Sequence, residues 1–329
     1  MKNTFYVSCP IDTYSGYGAR ARDFVKALIE LDEYEVKIIS QRWGTCPFGF
    51  IKDHNEEWGF LKKHFVGPQL TEQPDIWMQI TVPNEFQPVG KYNIGITAGI
   101  ETTIASPEWI EGCNRMNLIL GSSKHTIDVL KNSKFEKRDK NTNQVVGMID
   151  FKSKNEILFE GADTKVYKPI KSNFNLDIKE NFAYLFCGHW MSGKIGEDRK
   201  NVGLLVKAFY ETFKNKTKKP ALILKTTSVG TSYMDRDNIL RRIDAIKKSM
   251  KTNKLPNVYL LHGEFTNTEM NELYNHPKIK AMVSLTKGEG FGRPLLEFSL
   301  TNKPIITTNW SGHIDYLNPE FTTLLPGTM

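Results

Sequence analysis

The stretch GEGFGRPLLEF, residues 288–298, sets glycines at 288, 290 and 292 around Glu289, then passes through Arg293-Pro294 into an apolar run that carries Glu297. Upstream, IKAMVSLT (279–286) reads as a strand. Downstream, PLLEFSLTN (294–302) has helical spacing and PIITTN (304–309) reads as another strand. Strand, glycine turn, helix and strand in that order make a βαβ unit of a parallel sheet. Its turn lies at the carboxyl end of a strand, where open α/β sheets bind ligands. Glycines let backbone N–H groups approach an anionic or hydroxyl-rich ligand, Pro294 is tolerated at a helix start, and the helix N-terminus favours negative charge. Glu289 is expected in the loop and Glu297 in the first helical turn, both facing one crevice. Carboxylates fixed in this way suit sugar hydroxyls, since each oxygen accepts hydrogen bonds in defined directions.

Working outward, the same alternation fills the chain. TFYVSC (4–9), YEVKIIS (34–40), IWMQIT (76–81), YNIGIT (92–97) and LILGSS (118–123) read as strands, with helices over 21–31 and from 124 to about 132. The polar, Lys-rich 133–155 reads as an irregular insertion or hairpin, and EILFEGADTKVYKP (156–169) as a strand running into a proline hinge. Beyond it come FAYLFCG, VGLLVKAFYETF, PALILKT, a long helix over 235–251, VYLLHG and TEMNELYNH, ahead of the opening stretch. At 329 residues the chain exceeds one ordinary core. The expected fold class is α/β, with two Rossmann-like domains over residues 1–168 and 169–329 facing across a cleft.

The bulk numbers narrow the function classes. No run approaches 18 apolar residues and MKNTFYVSCPIDTYSGYG is no signal peptide, so a cytoplasmic protein without a transmembrane segment is expected. Cys9, Cys46, Cys113 and Cys187 are scattered, which suits neither a disulfide framework nor a zinc site. The net charge is +7. Residues 1–168 hold 21 basic against 22 acidic side chains and the remainder 23 against 15, so the excess positive charge lies in the C-terminal half. A half that holds a small polyanion such as a nucleotide diphosphate has this balance, although KNKTKK (214–219) is a solvated loop.

The segment EGFGRPLLEFSLTNKPIITTNWSGHIDYL (289–317) resembles the donor-binding signature of retaining GT-B glycosyltransferases of family 4 (glycosyl transferases group 1). SCPIDTYSGYGARARD (8–23), FEGADTKVYKP (159–169) and FCGHW…DRKNVGLLVKAF (186–209) match the family in the expected order. The resemblance implies an N-terminal acceptor-binding domain, a C-terminal domain for a UDP- or GDP-sugar, and metal-independent transfer of a hexose with retention. No cofactor is implied; the nucleotide-diphosphate sugar is a co-substrate. Glu297 would hold the ribose hydroxyls, and Glu289 with Gly290, Phe291 and Gly292 the donor sugar. Lys200 with Arg199 would neutralise the diphosphate, so that Glu289, Lys200 and Arg199 carry the catalysis. Gly16, Tyr17 and Gly18 would let the first domain close over the donor. Glu264 and Phe265 would lie by the base, and His189 and Lys225 complete the donor set. The family usually has Arg directly after Gly188, where this chain has His189. It also continues with a C-terminal helix past the point where this chain reads LLPGTM (324–329), so the C-terminal end is expected to be short.

The acceptor is open: a glycan, small molecule, protein or DNA base. TVPNEFQ (81–87) and AGIETTIASPEW (98–109) are loops at strand ends, so Asn84, Glu85, Glu101 and Thr102, with Arg20, are the acceptor candidates. The one D-x-D, Asp235-Arg236-Asp237, sits at a helix start where acids belong in any case, so no metal is assigned. GHWMSGKI (188–195) nearly spells a P-loop but ends in Ile195, which cannot ligate magnesium. GYGARA followed by a strand ending at Arg42 keeps an NADP-dependent oxidoreductase as a rival. The basic 131–154 insertion with Trp43, Phe48 and Phe50 keeps a sugar transferase acting on modified DNA bases. A catalytically inactive nucleotide-sugar binding protein is the non-enzyme reading. His125 and His262 are assigned to a helix cap and a strand end.

Overall fold

The computed structural model describes residues 2–139, 141–228 and 230–327, and they fall into two compact units, Met1–Gly161 and Ala162–Met329. The division comes ahead of the hinge expected at Pro169 because the chain beyond Gly161 already belongs to the second core. Val166 and Tyr167 pack into it, and the backbone N–H groups of Lys168 and Ile170 donate to Asn271 and Asn275.

The first unit runs β1 (Thr4–Cys9), α1 (Gly16–Glu30), β2 (Glu35–Ser40), α2 (Phe50–Asp53), α3 (Asn55–Trp58), β3 (Ile76–Ile80) and β4 (Tyr92–Thr97). It continues with α4 (Pro107–Asn114), β5 (Leu118–Gly121), α5 (Lys124–Asn132), β6 (Phe135–Arg138), β7 (Val145–Ile149) and β8 (Lys154–Ile157). Its six-stranded sheet has the order β2-β1-β3-β4-β5-β8, every pair parallel. Strand alternation splits the core: Phe5, Val7 and Cys9 enter one apolar cluster and Tyr6 the other. The 133–155 insertion is the antiparallel hairpin β6–β7. Two readings shift. Helix α1 begins at Gly16, not 21, because Ser15 caps it by accepting from the Gly18 N–H at 2.9 Å. Gly16-Tyr17-Gly18 is therefore a first helical turn rather than a loop. Helix α4 starts inside the segment expected to be a loop, with Pro107 at its first position and Ile110 and Cys113 buried one turn apart.

The second unit runs β9 (Ala183–Cys187), α6 (Val202–Phe213), β10 (Ala221–Lys225), α7 (Tyr233–Ser249) and β11 (Val258–Leu261). Then follow α8 (Asn267–Asn275), β12 (Ile279–Ser284), α9 (Arg293–Ser299), β13 (Ile305–Thr308) and β14 (Thr322–Leu325), the last a short edge strand that carries no clear alternation. The sheet order is β11-β10-β9-β12-β13-β14, again all parallel. Ala183, Leu185, Ala221 and Ile223 face one cluster while Phe186, Leu222 and Leu224 face the other. Both faces are covered, as a doubly wound sheet requires. The chain winds outward from β9 to β10 and β11, then returns to lay β12 on the other side of β9. The order thus reverses between β9 and β12, the place where open α/β sheets bind ligands.

Candidate functional site

The loops after β9 and β12 meet at that reversal. Lys200, at the end of the first loop, places its Nζ 2.5 and 2.6 Å from the two carboxylate oxygens of Glu289 in the second. Arg199 donates from Nη1 to the Gly288 carbonyl at 2.8 Å and lies 3.5 Å from Glu289. Backbone ties lock the loops together: the Lys287 N–H donates to Arg199 O, and Asn201 Nδ2 to Leu285 O. The pair is nearly enclosed, the side chains of Lys200 and Glu289 being 14% and 9% exposed. Burial pushes the Glu289 carboxyl up, but the charges of Lys200 and Arg199 outweigh it and hold the group below its ordinary value. A carboxylate kept ionised beside two cations, at the switch point of a doubly wound sheet, is built to organise charge.

The turn around Glu289 is braced by residues 311–316, which lie in the 289–317 signature but carried no individual roles from sequence. The Glu289 N–H donates to Ser311 Oγ at 2.8 Å, and the Gly312 N–H donates to Glu289 O at 2.9 Å. Gly312 is compelled by space, since a Cβ there would stand 2.1 Å from Gly290 O. Tyr316 donates to the carbonyls of Gly292 and Phe291. Gly292 caps α9 at φ +87, a conformation that favours glycine. The S-G dipeptide was a turn signal; the bracing role of Ser311 was not legible.

Glu297 lies one full turn inside α9 rather than in its first turn, because the helix begins at Arg293. Its carboxylate accepts from Arg293 Nε at 3.2 Å and from Tyr274 Oη at 3.4 Å, and burial pushes it up despite Arg293. Glu289 and Glu297 are thus held by separate partners. They still share a neighbourhood: Cys187, at the end of β9, lies in electrostatic reach of Lys225, Glu297 and Lys200, its thiol pushed up by burial.

The other second-unit candidates follow the same rim. Lys225 ends β10, donating to Gly263 O at 2.7 Å, with its Nζ 4.5 Å above the Phe265 ring. His189, after Gly188, bonds Thr227 Oγ1 at 3.1 Å. Burial lowers its pKa, Lys200 and Lys225 act in the same sense, and Glu264 opposes them. The rim therefore gathers His189, Arg199, Lys200, Lys225, Glu264, Phe265 and residues 289–297 from four strand ends. Asp235 of the D-x-D sits in the first turn of α7 and is bonded by the Ser228 N–H and by His262 Nε2 at 3.0 Å. His262 thus partners an acid instead of merely ending a strand. Among the described residues no group of three or more His, Cys, Asp and Glu could hold a metal ion.

The first-unit candidates lie on the carboxyl rim of their own sheet. Tyr17 Oη accepts from the Ala98 N–H at 2.9 Å and bonds Thr97 Oγ1 at 3.2 Å, which ties α1 to the end of β4; burial pushes its phenol up to about 12. Gly18 is forced by the Thr13 carbonyl, 2.5 Å from where a Cβ would stand, whereas Gly16 has open space. Arg20 is buried, donating to Leu158 O at 2.7 Å with Glu160 at 3.2 Å, so its guanidinium anchors the chain after β8. Asn84 and Glu85 form a turn after β3, where Glu85 accepts from Thr81 Oγ1 and Asn84 O from Arg115. Thr102 donates to Ile104 O in the bend after β4 that also carries Glu101. A cavity of about 820 Å³ lined by Lys2, Tyr34, Lys37 and Asp75 opens at the amino ends of β1 and β2, away from that rim.

Solved structures share this architecture over nearly the whole chain. Anabaena HepE, in complex with UDP and glucose, superposes with a TM-score of 0.60 at 11% identity, over 98% of this chain and 86% of that one. Sucrose-phosphate synthase from Thermosynechococcus elongatus gives 0.62 at 12%, over 99% and 86%. WaaG, a glycosyltransferase involved in lipopolysaccharide biosynthesis, gives 0.55 at 14%, over 98% and 86%. The fold is that of the GT-B glycosyltransferases. No protein-family model matches the sequence, and no curated protein does. The GT-B likeness therefore rests on the two doubly wound sheets, and the assignment of chemistry rests on the rim. No helix among the described residues is long and apolar enough to cross a membrane.

Proposed function

We propose that the protein is a retaining glycosyltransferase of the family 4 type, moving a hexose from a UDP- or GDP-sugar to a hydroxyl acceptor. The observation that carries this is the ion pair of Lys200 with Glu289 at the β9/β12 switch point, joining two motifs 89 residues apart in a GT-B fold. HepE, with the same fold, was solved with UDP and glucose. In this reading Lys200 and Arg199 take up the negative charge that develops on the departing diphosphate, in a water-poor setting where fixed cations act strongly. Glu289 and the Gly290–Gly292 backbone hold the sugar, Glu297 the ribose, and Lys225, Glu264 and Phe265 surround the base. The bond from the anomeric carbon to the diphosphate oxygen breaks as the acceptor oxygen bonds on the same face. The acceptor's proton passes to the leaving phosphate, so no side-chain base is required. Charge neutralisation is assigned to Lys200 and Arg199 and not to a metal, since Asp235 is already engaged by His262 and Ser228.

Isothermal titration of UDP and GDP into the protein, with NMR of the anomeric linkage formed from each donor sugar, tests the reading. One nucleotide should bind, Glu297→Ala should abolish its binding with the fold intact, and the product should keep the donor's anomeric configuration. Unaltered affinity in Glu297→Ala removes the ribose assignment. Inversion at the anomeric carbon removes the retaining one.

A further inference from the structure

Trp43, in the loop after β2 on the first unit's rim, belongs to none of the apolar clusters found among the described residues, and the same holds of Tyr14 and Phe48 beside it. It is half-buried, and its indole lies flat on the Tyr17 ring, centroids 4.0 Å apart and planes at 24°. Tyr17 cannot easily move, since its hydroxyl is bonded to Ala98 N and Thr97 Oγ1. The loop that carries Trp43 is also fixed. Cys46 N donates to Trp43 O, Tyr14 N to Pro47 O, and Gly49 N to Asp12 O. A bridge pairs Thr13 with Phe48, itself 49% exposed. An indole held rigidly by one face on a fixed tyrosine, while the residue stays partly open to solvent, is a stacking platform. Glu101 lies three residues beyond Ala98, in the bend after β4 to which the Tyr17 hydroxyl is tied.

We infer that Trp43, backed by Tyr17, is the surface on which a sugar ring of the acceptor stacks, with Glu101 accepting hydrogen bonds from its hydroxyls; the acceptor is then a carbohydrate. The assignment rests on the glycosyltransferase reading of the second unit. The chemistry fits a pyranose: its axial C–H face is apolar and electropositive, matching the negative face of the indole, while its equatorial hydroxyls point outward to acceptors. A nucleobase could also stack, but residues 1–161 hold 19 basic against 21 acidic side chains, and a phosphate chain gains little from such a surface.

The test uses the full chain, saturated with UDP, on an immobilised-glycan array, with saturation-transfer NMR on the retained sugars and melting curves run in parallel. Trp43→Ala should weaken glycan binding by about tenfold, the scale of an aromatic anchor, while UDP affinity stays unchanged. Trp43→Phe should restore most of it. Three results overturn the inference: equal glycan binding in Trp43→Ala, retention of single-stranded DNA in place of any glycan, or no glycan retained by wild type that binds UDP. Failure of wild type to bind UDP or GDP strikes the donor assignment instead, and the effect of Trp43→Ala on glycan retention is then read without nucleotide. A Trp43 that only shields Tyr17 would lower the melting temperature without changing which glycans are held.

Discussion

Replacing Lys200 by Met keeps the unbranched stem, shorter by one atom, and removes the charge, leaving Glu289 buried without its nearest partner. Removing one member of a buried ion pair costs about 3–5 kcal/mol, because the remaining charge stays out of water. Here the lower end applies: Arg199 remains 3.5 Å from the same carboxylate, and Lys200 itself is 14% exposed. At about 2–4 °C per kcal/mol for a unit of this size, a loss of about 3 kcal/mol lowers the melting temperature by about 6–12 °C. The pH dependence gives a second reading of opposite sign. In wild type the Glu289 carboxyl is held low, so its stabilisation is present above the unfolded pKa and is lost as pH falls through the folded one. In Lys200→Met burial dominates and the folded pKa is raised. The variant is then relatively more stable in acid, where the carboxyl is protonated, and loses ground as pH rises through that raised value. The gap between the two proteins should therefore narrow on acidification. Circular-dichroism melts across the acid to neutral range measure it, and titration with UDP should show about ten- to a hundredfold weaker binding from loss of a charge-assisted hydrogen bond. A variant that melts within about 2 °C of wild type at neutral pH, or a gap that widens in acid, refutes the reasoning.

Two further outcomes follow from the same rim. Because burial raises the Glu297 carboxyl, nucleotide affinity should rise with pH as that group ionises, and Glu297→Gln should flatten the profile; a titration series that finds wild-type pH dependence in Glu297→Gln contradicts the ribose role. Gly312→Ala puts a methyl where only 2.1 Å separates it from Gly290 O, so the turn must shift at a cost of about 1–3 kcal/mol, with UDP binding lost before the fold; a variant with wild-type melting and affinity would show the brace to be slack.

The central strands of both sheets were legible because they are buried on both faces and flanked by glycine, proline or capping residues, whereas α2, α3 and the edge strand β14 were not read. FAYLFCG and PALILKT could be little else than interior parallel strands. Of the second unit's rim, Glu289 was legible from the strand, glycine turn and helix around it, whereas Lys200, far away in sequence, was set beside it only by the family resemblance. Where the reading slipped, short-range chemistry decided. A single hydroxyl, Ser15, starts α1 five residues early and turns an apparent glycine loop into helix. Arg293 starts α9 and carries Glu297 one position deeper than expected, just past the first turn. The partners of Glu297, Tyr274 and Arg293, come from α8 and α9, and nothing in local spacing announces that a helix-borne tyrosine will reach across. Arg20 illustrates the opposite difficulty. From sequence it reads as a rim cation, whereas the fold brings Leu158 and Glu160 over it and turns it inward.

The arrangement around Lys200 also explains why a buried acid stands where an anionic ligand is proposed to bind. An ammonium group has three N–H bonds. Glu289 engages Nζ through both oxygens at 2.5 and 2.6 Å, which fixes the position of the charge but does not use every donor. Glu289 is in turn set by Ser311 through its backbone N–H, and Ser311 is held at φ +76, a conformation that side-chain-bearing residues rarely adopt. Strain at Ser311, the close seating of Gly312 and the ion pair are therefore successive links of one chain that aims a cation at the switch point before any ligand arrives. A lysine left mobile there would have to be ordered by each incoming diphosphate, and its side-chain entropy would weaken binding. Held by Glu289, it keeps its orientation and its free N–H, so that the acid serves the cation first and, in the proposed reading, the sugar second.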